Sequence, residues 1–307
     1  MVQVCTDPTT AWVSRIAPGA QHRFNAPRPI HNHFLKGFIS DGTKAALSVT
    51  VAPNCSQLSL VKIACLYVLP DFIAKIQEYI TRCTNNDDHS ILQKFSKVKL
   101  WYKFHIQQCS ASEPSVILPS QAIQAQPPSA NFPLGNCDAV LLNVDGGSRH
   151  NPGCKFFYTL YELVLIIDVD HVAQVRAVFQ LTPPPHSKDK LPDFLTTPLL
   201  YIQLFDITAD PDNQLHTWMW MLERAFDSIP GQPASTNHVG LVIPLTEVTQ
   251  AVDLVPVFGE SVDRSMTAAT SQEVYNHFYL NYYADKESFN MLYDSMYMDY
   301  KDADDDV

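Results

Sequence analysis

The 307-residue chain has no Cys-x-x-Cys pair, no Gly-x-Ser-x-Gly motif and no long apolar run, and it is poor in charge. Its seven cysteines, at 5, 55, 65, 83, 109, 137 and 154, are irregularly spaced. That pattern reads as reduced thiols in cytoplasm or nucleus, not as a disulfide framework. Without a nucleophile elbow, or a Cys–His pair in recognisable surroundings, hydrolase and protease readings have no support. The longest strongly apolar stretch, Leu163-Val164-Leu165-Ile166-Ile167, is far shorter than the ~20 residues a membrane helix needs. Met1-Val2-Gln3-Val4-Cys5 has neither the basic start nor the apolar core of a secretion signal. An intracellular, soluble protein with no membrane partner is expected. Charged residues make up 17% of the chain, against about a quarter in ordinary domains. Their balance is acidic, with a formal charge of -11. Generic duplex DNA binding needs Lys and Arg to replace phosphate counterions, so the whole surface is unsuited to it. Only a local basic face would serve.

What is present predicts an α+β fold that is mostly β. Ala45 to Val51 reads as a strand, and Pro70 to Arg82 as a helix with Phe72, Ile73, Ile76, Tyr79 and Ile80 on one stripe. From Lys97 to Gln107 the apolar residues Val98, Leu100, Tyr102, Phe104 and Ile106 alternate with polar ones, the pattern of one half-buried strand. Five prolines from Pro114 to Pro133 predict an extended connector with little room for regular structure. Beyond it, short β-type runs at 139–144, 172–181, 199–207, 218–225, 239–245 and 252–258 are separated by Pro, Gly, Asn or Asp. Their spacing suits a compact antiparallel barrel or sandwich. Ser271 to Tyr283 reads as a closing helix, Ser271 its N-cap and Val274, Tyr275, Phe278 and Tyr282 its inward face. The expected organisation is a small N-terminal α/β unit (1–85), a strand with Pro-rich connector (86–135), a β-rich domain with its C-terminal helix (136–293) and an acidic tail (294–307).

Four places invite a chemical reading. Gly37 to Lys44 misses the phosphate-binding loop because Thr43 precedes Lys44, and it reads as a turn. His31 and His33 offer two metal ligands where three or four must converge, and they read as surface imidazoles. The apolar run at 163–167 leads into Asp168-Val169-Asp170, the manner in which two-metal phosphoryl-transfer enzymes present a first carboxylate. No further strand-borne Asp or helix-borne Glu follows in a fitting context. No catalytic residue, metal site or cofactor is therefore assigned. A divergent metal-dependent nuclease using Asp168 and Asp170 is the rival reading. Lastly, Lys97, Lys99 and Lys103 share the polar face of the 97–107 strand with Trp101, after Lys94 and Phe95. Cations beside an exposed aromatic are the ingredients of a single-stranded nucleic-acid groove.

Several spaced segments carry a resemblance. They include Arg28-Pro29-Ile30-His31-Asn32-His33-Phe34, Leu66-Tyr67-Val68-Leu69-Pro70-Asp71-Phe72, Val172-Ala173-Gln174-Val175-Arg176, Leu200-Tyr201-Ile202-Gln203-Leu204-Phe205 and Phe278-Tyr279-Leu280-Asn281. Together, over about residues 12 to 293, they resemble the C-terminal region of proteins encoded by fungal Plavaka-type transposons, of the Kyakuja-Dileera-Zisupton transposase group. That region is a domain of unknown function lying beyond the catalytic part. The resemblance implies a transposon-derived, non-catalytic accessory module that binds nucleic acid or another protein chain, or else a relic without function. Cys154 to Asp170 interrupts it, and its single lysine, absence of proline and wealth of Phe, Tyr, Leu and Ile read as a translated intron. Asp299 to Asp306 is similar to a common epitope tag and carries no fold information.

Overall fold

In a computed structural model, the residues described are 38–39, 45–85, 90–110, 116–142, 171–183, 189–209, 219–227, 237–259, 266–284 and 288–289. They build two antiparallel sheets stacked as a sandwich, not closed into a barrel. The smaller sheet contains β1 (Phe38–Ile39), β2 (Ala45–Ser48), β5 (Lys103–Gln108), β6 (Gln121–Gln126) and β7 (Asn136–Cys137), in the order β1-β2-β5-β6-β7. The larger contains β3 (Cys55–Ser59), β4 (Lys97–Trp101), β8 (Ala139–Leu142), β9 (His171–Thr182), β10 (Leu199–Ala209), β11 (Met221–Arg224), β12 (Gly240–Pro244), β13 (Val248–Val252), β14 (Leu254–Pro256) and β15 (His277–Leu280). Helices α1 (Leu60–Tyr67) and α2 (Phe72–Thr84) pack on its outer face, with short helices α3 (Ser90–Lys94) and α4 (Ala268–Val274) elsewhere.

The two longest strands organise the larger sheet. They pair with each other, and each divides its other edge between two partners. β9 binds β8 through His171–Gln174 and β4 through Val178–Thr182. β10 binds β12 through Leu199–Gln203 and β11 from Phe205 onward. Their mutual register jumps from Ile202↔Val175 to Tyr201↔Ala177, leaving Arg176 as the extra residue of a bulge. The bulge changes which alternate residues face inward. Ala173, Val175 and Val178 join the core between the sheets, while Ala177, Phe179 and Leu181 turn to the helices.

Burial of three apolar clusters drives this arrangement. Between the sheets lie Leu47, Phe104, Ile106, Ile123, Leu200, Ile202 and Ile243. Under the helices, Ile63 and Tyr67 of α1 and Phe72, Ile76 and Ile80 of α2 cover Val98, Leu100, Phe179 and Tyr201. Further along the same outer face Phe205, Leu222, Phe278, Leu280 and Tyr282 form the third. Arg82 of α2 donates to the Val242 carbonyl (2.8 Å), capping a backbone acceptor of β12. Elements on both sides of residue 85 pair directly, β2 with β5 and β3 with β4.

Three expectations need correction. The alternating stretch 97–107 is two strands in different sheets. The chain crosses over at Tyr102, whose amide donates to Asn54 Oδ1 (2.8 Å) and whose carbonyl accepts from Ala125 (2.7 Å). The Pro-rich connector contains β6, because its six residues Gln121–Gln126 lie between Pro119 and Pro127 and lose no ladder donor. The expected helix 271–283 is shorter and earlier. α4 starts after Thr267, whose amide donates to Thr270 Oγ1 (3.1 Å), and gives way to an extended Tyr275. Phe278, Leu280 and Tyr282 are buried at period two, as a strand requires, and Val274 is exposed. Aromatics spaced so that both periods fit went to the strand because β11 and β14 offered ladders on both edges.

Candidate functional site

Of the four residues expected to meet nucleic acid, three lysines reach the surface and the tryptophan does not. Lys99 and Lys103 are exposed and Lys97 partly so. Val98 and Leu100 point to the helices, which sends Lys97 and Lys99 out of the opposite face of β4. Lys103 follows the corner and stands on the outward face of the smaller sheet, across from Gln124. Trp101 is 4% exposed, packs between the sheets and donates its indole N–H to the Thr50 carbonyl (2.8 Å). Its ring cannot stack a base, and the expected cation–aromatic stripe is in fact a set of cations alone. Two more exposed lysines approach β4. Lys94 ends α3 three residues before it, and Lys62 donates its amide to Ser59 Oγ (3.3 Å), the residue paired with Lys97. Lys62 has no local signal in the sequence, since only the β3–β4 pairing brings it there. Among the described residues, no carboxylate pairs with Lys62, Lys94, Lys97, Lys99 or Lys103.

The other concentration of charge is buried, and two of its members, Gln174 and Arg176, fall on a segment that carries the resemblance. Gln174 and Arg176 of β9 meet Arg224 of β11 and Glu273 of α4. Gln174 Nε2 donates to Glu273 Oε1 (2.8 Å) and to the Cys137 carbonyl (3.0 Å). Arg176 pairs with Glu273 Oε2, and Arg224 donates to Gln174 Oε1 (2.9 Å), the Tyr275 carbonyl (3.2 Å) and the Gln272 carbonyl. Those carbonyls close the C-terminal end of α4, where a cation is favoured. Phe205 and Phe278 hold the Arg224 guanidinium within 5.2 and 5.4 Å of their rings. Burial, helped by nearby Arg176, pushes Arg224 down to about 10, so it remains charged at neutral pH. The contacts to Glu273, to the Gln272 carbonyl and to the Tyr275 carbonyl tie α4 to the sheet. The adjoining Cys137 thiol is pushed up to about 12, chiefly by burial, and so is not a nucleophile at neutral pH.

A polar cleft of about 340 Å³ opens beside α4, lined by Gln121, Asp138, Asp253, Gln272 and Ser288 among others. Burial, then Asp253, raises the Asp138 carboxyl, against a lowering hydrogen bond from the Gln124 amide (2.7 Å). Among the described residues, no three His, Cys, Asp or Glu side chains are gathered as a metal would need, and no helix is long and apolar enough to cross a membrane.

His31, His33, Ser40 to Lys44 and the whole of 154–170, with Asp168 and Asp170, lie outside the described residues. So does the acidic tail. No curated protein and no solved structure matches the chain. Residues 20–222, which include β9, the lysines around β4 and helices α1 to α3, match a family described only as a domain of unknown function, and the chain belongs to that family, DUF6830.

Proposed function

We propose that the chain is a non-catalytic binding module of a transposon-derived protein, and that its lysine corner holds the backbone of a single-stranded nucleic acid. The observation that carries this reading is the set Lys94, Lys97 and Lys99. These cations gather around β4 without carboxylate partners among the described residues, on a chain whose net charge is -11. Counterion release from a few phosphates would supply the affinity, with little base preference because Trp101 is buried. Lys103 belongs to another surface and serves as the internal control.

Fluorescence anisotropy of a labelled oligothymidylate over a salt series tests it. Binding should weaken with salt, and replacing Lys94, Lys97 and Lys99 by Ala should flatten the slope by about 0.7 for each phosphate no longer neutralised. Lys103→Ala should change little. No retention at low salt, or equal slopes for parent and triple variant, would reduce these lysines to a solvated edge.

A further inference from the structure

The cleft beside α4 takes its walls from both sheets and from the helix. Ile123 of β6, Ala139 of β8, Val252 of β13 and Gln272 of α4 enclose a concavity of about 340 Å³. That volume is within the range of small-ligand pockets, about 300–1,000 Å³, and exceeds what a bare ion fills. Ile123, Ala139 and Val252 are buried and give the cleft an apolar wall. Its rim carries two carboxylates, Asp138 and Asp253.

The backbone fixes both carboxylates in place. Val252 is the register partner of Ala139, and the same register one residue on sets Asp253 opposite Asp138. The Asp138 amide donates to the Gln124 carbonyl (3.0 Å), and its own carbonyl accepts from the Val175 amide (2.9 Å). The Asp138 carboxylate accepts from the Gln124 amide (2.7 Å), and the Asp253 carbonyl accepts from the Asn281 amide (2.9 Å). A rim held this way is set before a ligand arrives, which lowers the cost of binding. Like charges directly opposite each other are destabilising. Burial first, and Asp253 after it, hold the Asp138 carboxyl above its ordinary range. Among the described residues of the lining there is no Lys, Arg or His to answer the pair.

A ligand suited to both halves of the cleft has an apolar stem and a cationic head. Long basic side chains are built so, burying their methylenes along apolar surface while the charge stays among polar groups. Arginine fits better than lysine, because the donors of a planar guanidinium can serve two carboxylates and an amide oxygen at once. We infer that the cleft receives an arginine side chain of a partner polypeptide, with its stem on Ile123 and Val252 and its guanidinium between Asp138 and Asp253. The lysine corner takes no part in this contact.

The test is an amide NMR titration of the full chain with the capped peptide Gly-Arg-Gly, its citrulline counterpart and guanidinium ion. The arginine peptide should give saturable shifts at Ile123, Asp138, Asp253 and Gln272. Citrulline keeps the stem without the charge, and guanidinium keeps the charge without the stem, so each should bind at least tenfold more weakly. Asp253→Asn should weaken the arginine peptide at least tenfold. That residue is exposed, so the variant should fold, and it decides the matter if Asp138→Asn does not fold. Replacing Lys94, Lys97 and Lys99 by Ala should leave the titration unchanged. The inference is overturned if the shifts do not saturate, if they fall elsewhere, or if Asp253→Asn binds as the parent does. Citrulline peptide equal to arginine peptide would refute the charge contact, and guanidinium equal to it would refute the polypeptide side chain.

Discussion

The hydroxyl of Tyr201 donates to the carboxylate of Asp71 at 2.6 Å, joining the start of β10 to the residue that opens α2. Burial, then this contact, holds the phenol above its ordinary range. Gly240, in β12 beside them, has no room for a side chain. A Cβ there would stand 2.1 Å from the Tyr201 hydroxyl and 2.6 Å from Asp71 Oδ2.

Gly240→Ala should therefore destabilise the fold by about 1–3 kcal/mol, the cost of overpacking a core site. Tyr201→Phe should cost about 1–3 kcal/mol by leaving the Asp71 carboxylate without its donor. Because both changes act on the same contact, the double variant should lose less than their sum. Urea denaturation measures all three, and strict additivity would refute the coupling.

The arginine interlock yields a second expectation. Glu273→Gln removes the carboxylate that answers Arg176 while leaving the buried guanidinium, and breaking such a pair costs about 3–5 kcal/mol. The loss should be local as well as global. Amide exchange across Ala268–Val274 should accelerate more than exchange in β9. Equal acceleration throughout would mean that α4 is not held by this pair.

A pH dependence follows from His238, which sits against Phe226 with ring centroids 4.7 Å apart. Burial, then the charges of Arg224 and Arg176, brings it down to about 4 from the ordinary 6.5. Between those values the unfolded chain binds the proton and the folded chain does not. Stability from this group is thus intact above pH 6.5 and falls as the pH drops toward 4. His238→Phe, which keeps the ring contact, should make the acid limb of the stability curve shallower over that window. An imidazole resonance of His238 titrating near 6.5 in the folded protein would contradict this.

Local pattern makes much of the architecture legible, and fails where a long-range choice decides. The stripe Phe72, Ile76, Tyr79, Ile80 is unambiguous, and α2 is where its period puts it. Helix α1 gives no such signal because Leu-Val-Lys-Ile-Ala-Cys-Leu-Tyr is apolar on nearly every side, with Val61 and Cys65 exposed opposite Leu60 and Ile63. No periodicity distinguishes such a run from a strand. The change of sheet at Tyr102 leaves Val98, Leu100, Phe104 and Ile106 in perfect alternation while assigning them to two cores, so the pattern is silent about it. The lysines are visible as letters, and their separation onto two surfaces is not. The interlock is visible only as Gln174 and Arg176 within a resembling segment. Their partners Arg224 and Glu273 come from a strand and a helix far along the chain, and no spacing rule relates them.

The turn at Tyr102 has a mechanical consequence. A chain that leaves one sheet and enters the other within a single residue has no slack, and both backbone groups of that residue are already held. The layers are stitched rather than stacked. Pulling them apart, by force or by denaturant, has to break β4 from β9 or β5 from its neighbours at the same moment. The sandwich should thus yield in one cooperative step, and a protease should find no cleavable hinge between its halves at this crossing.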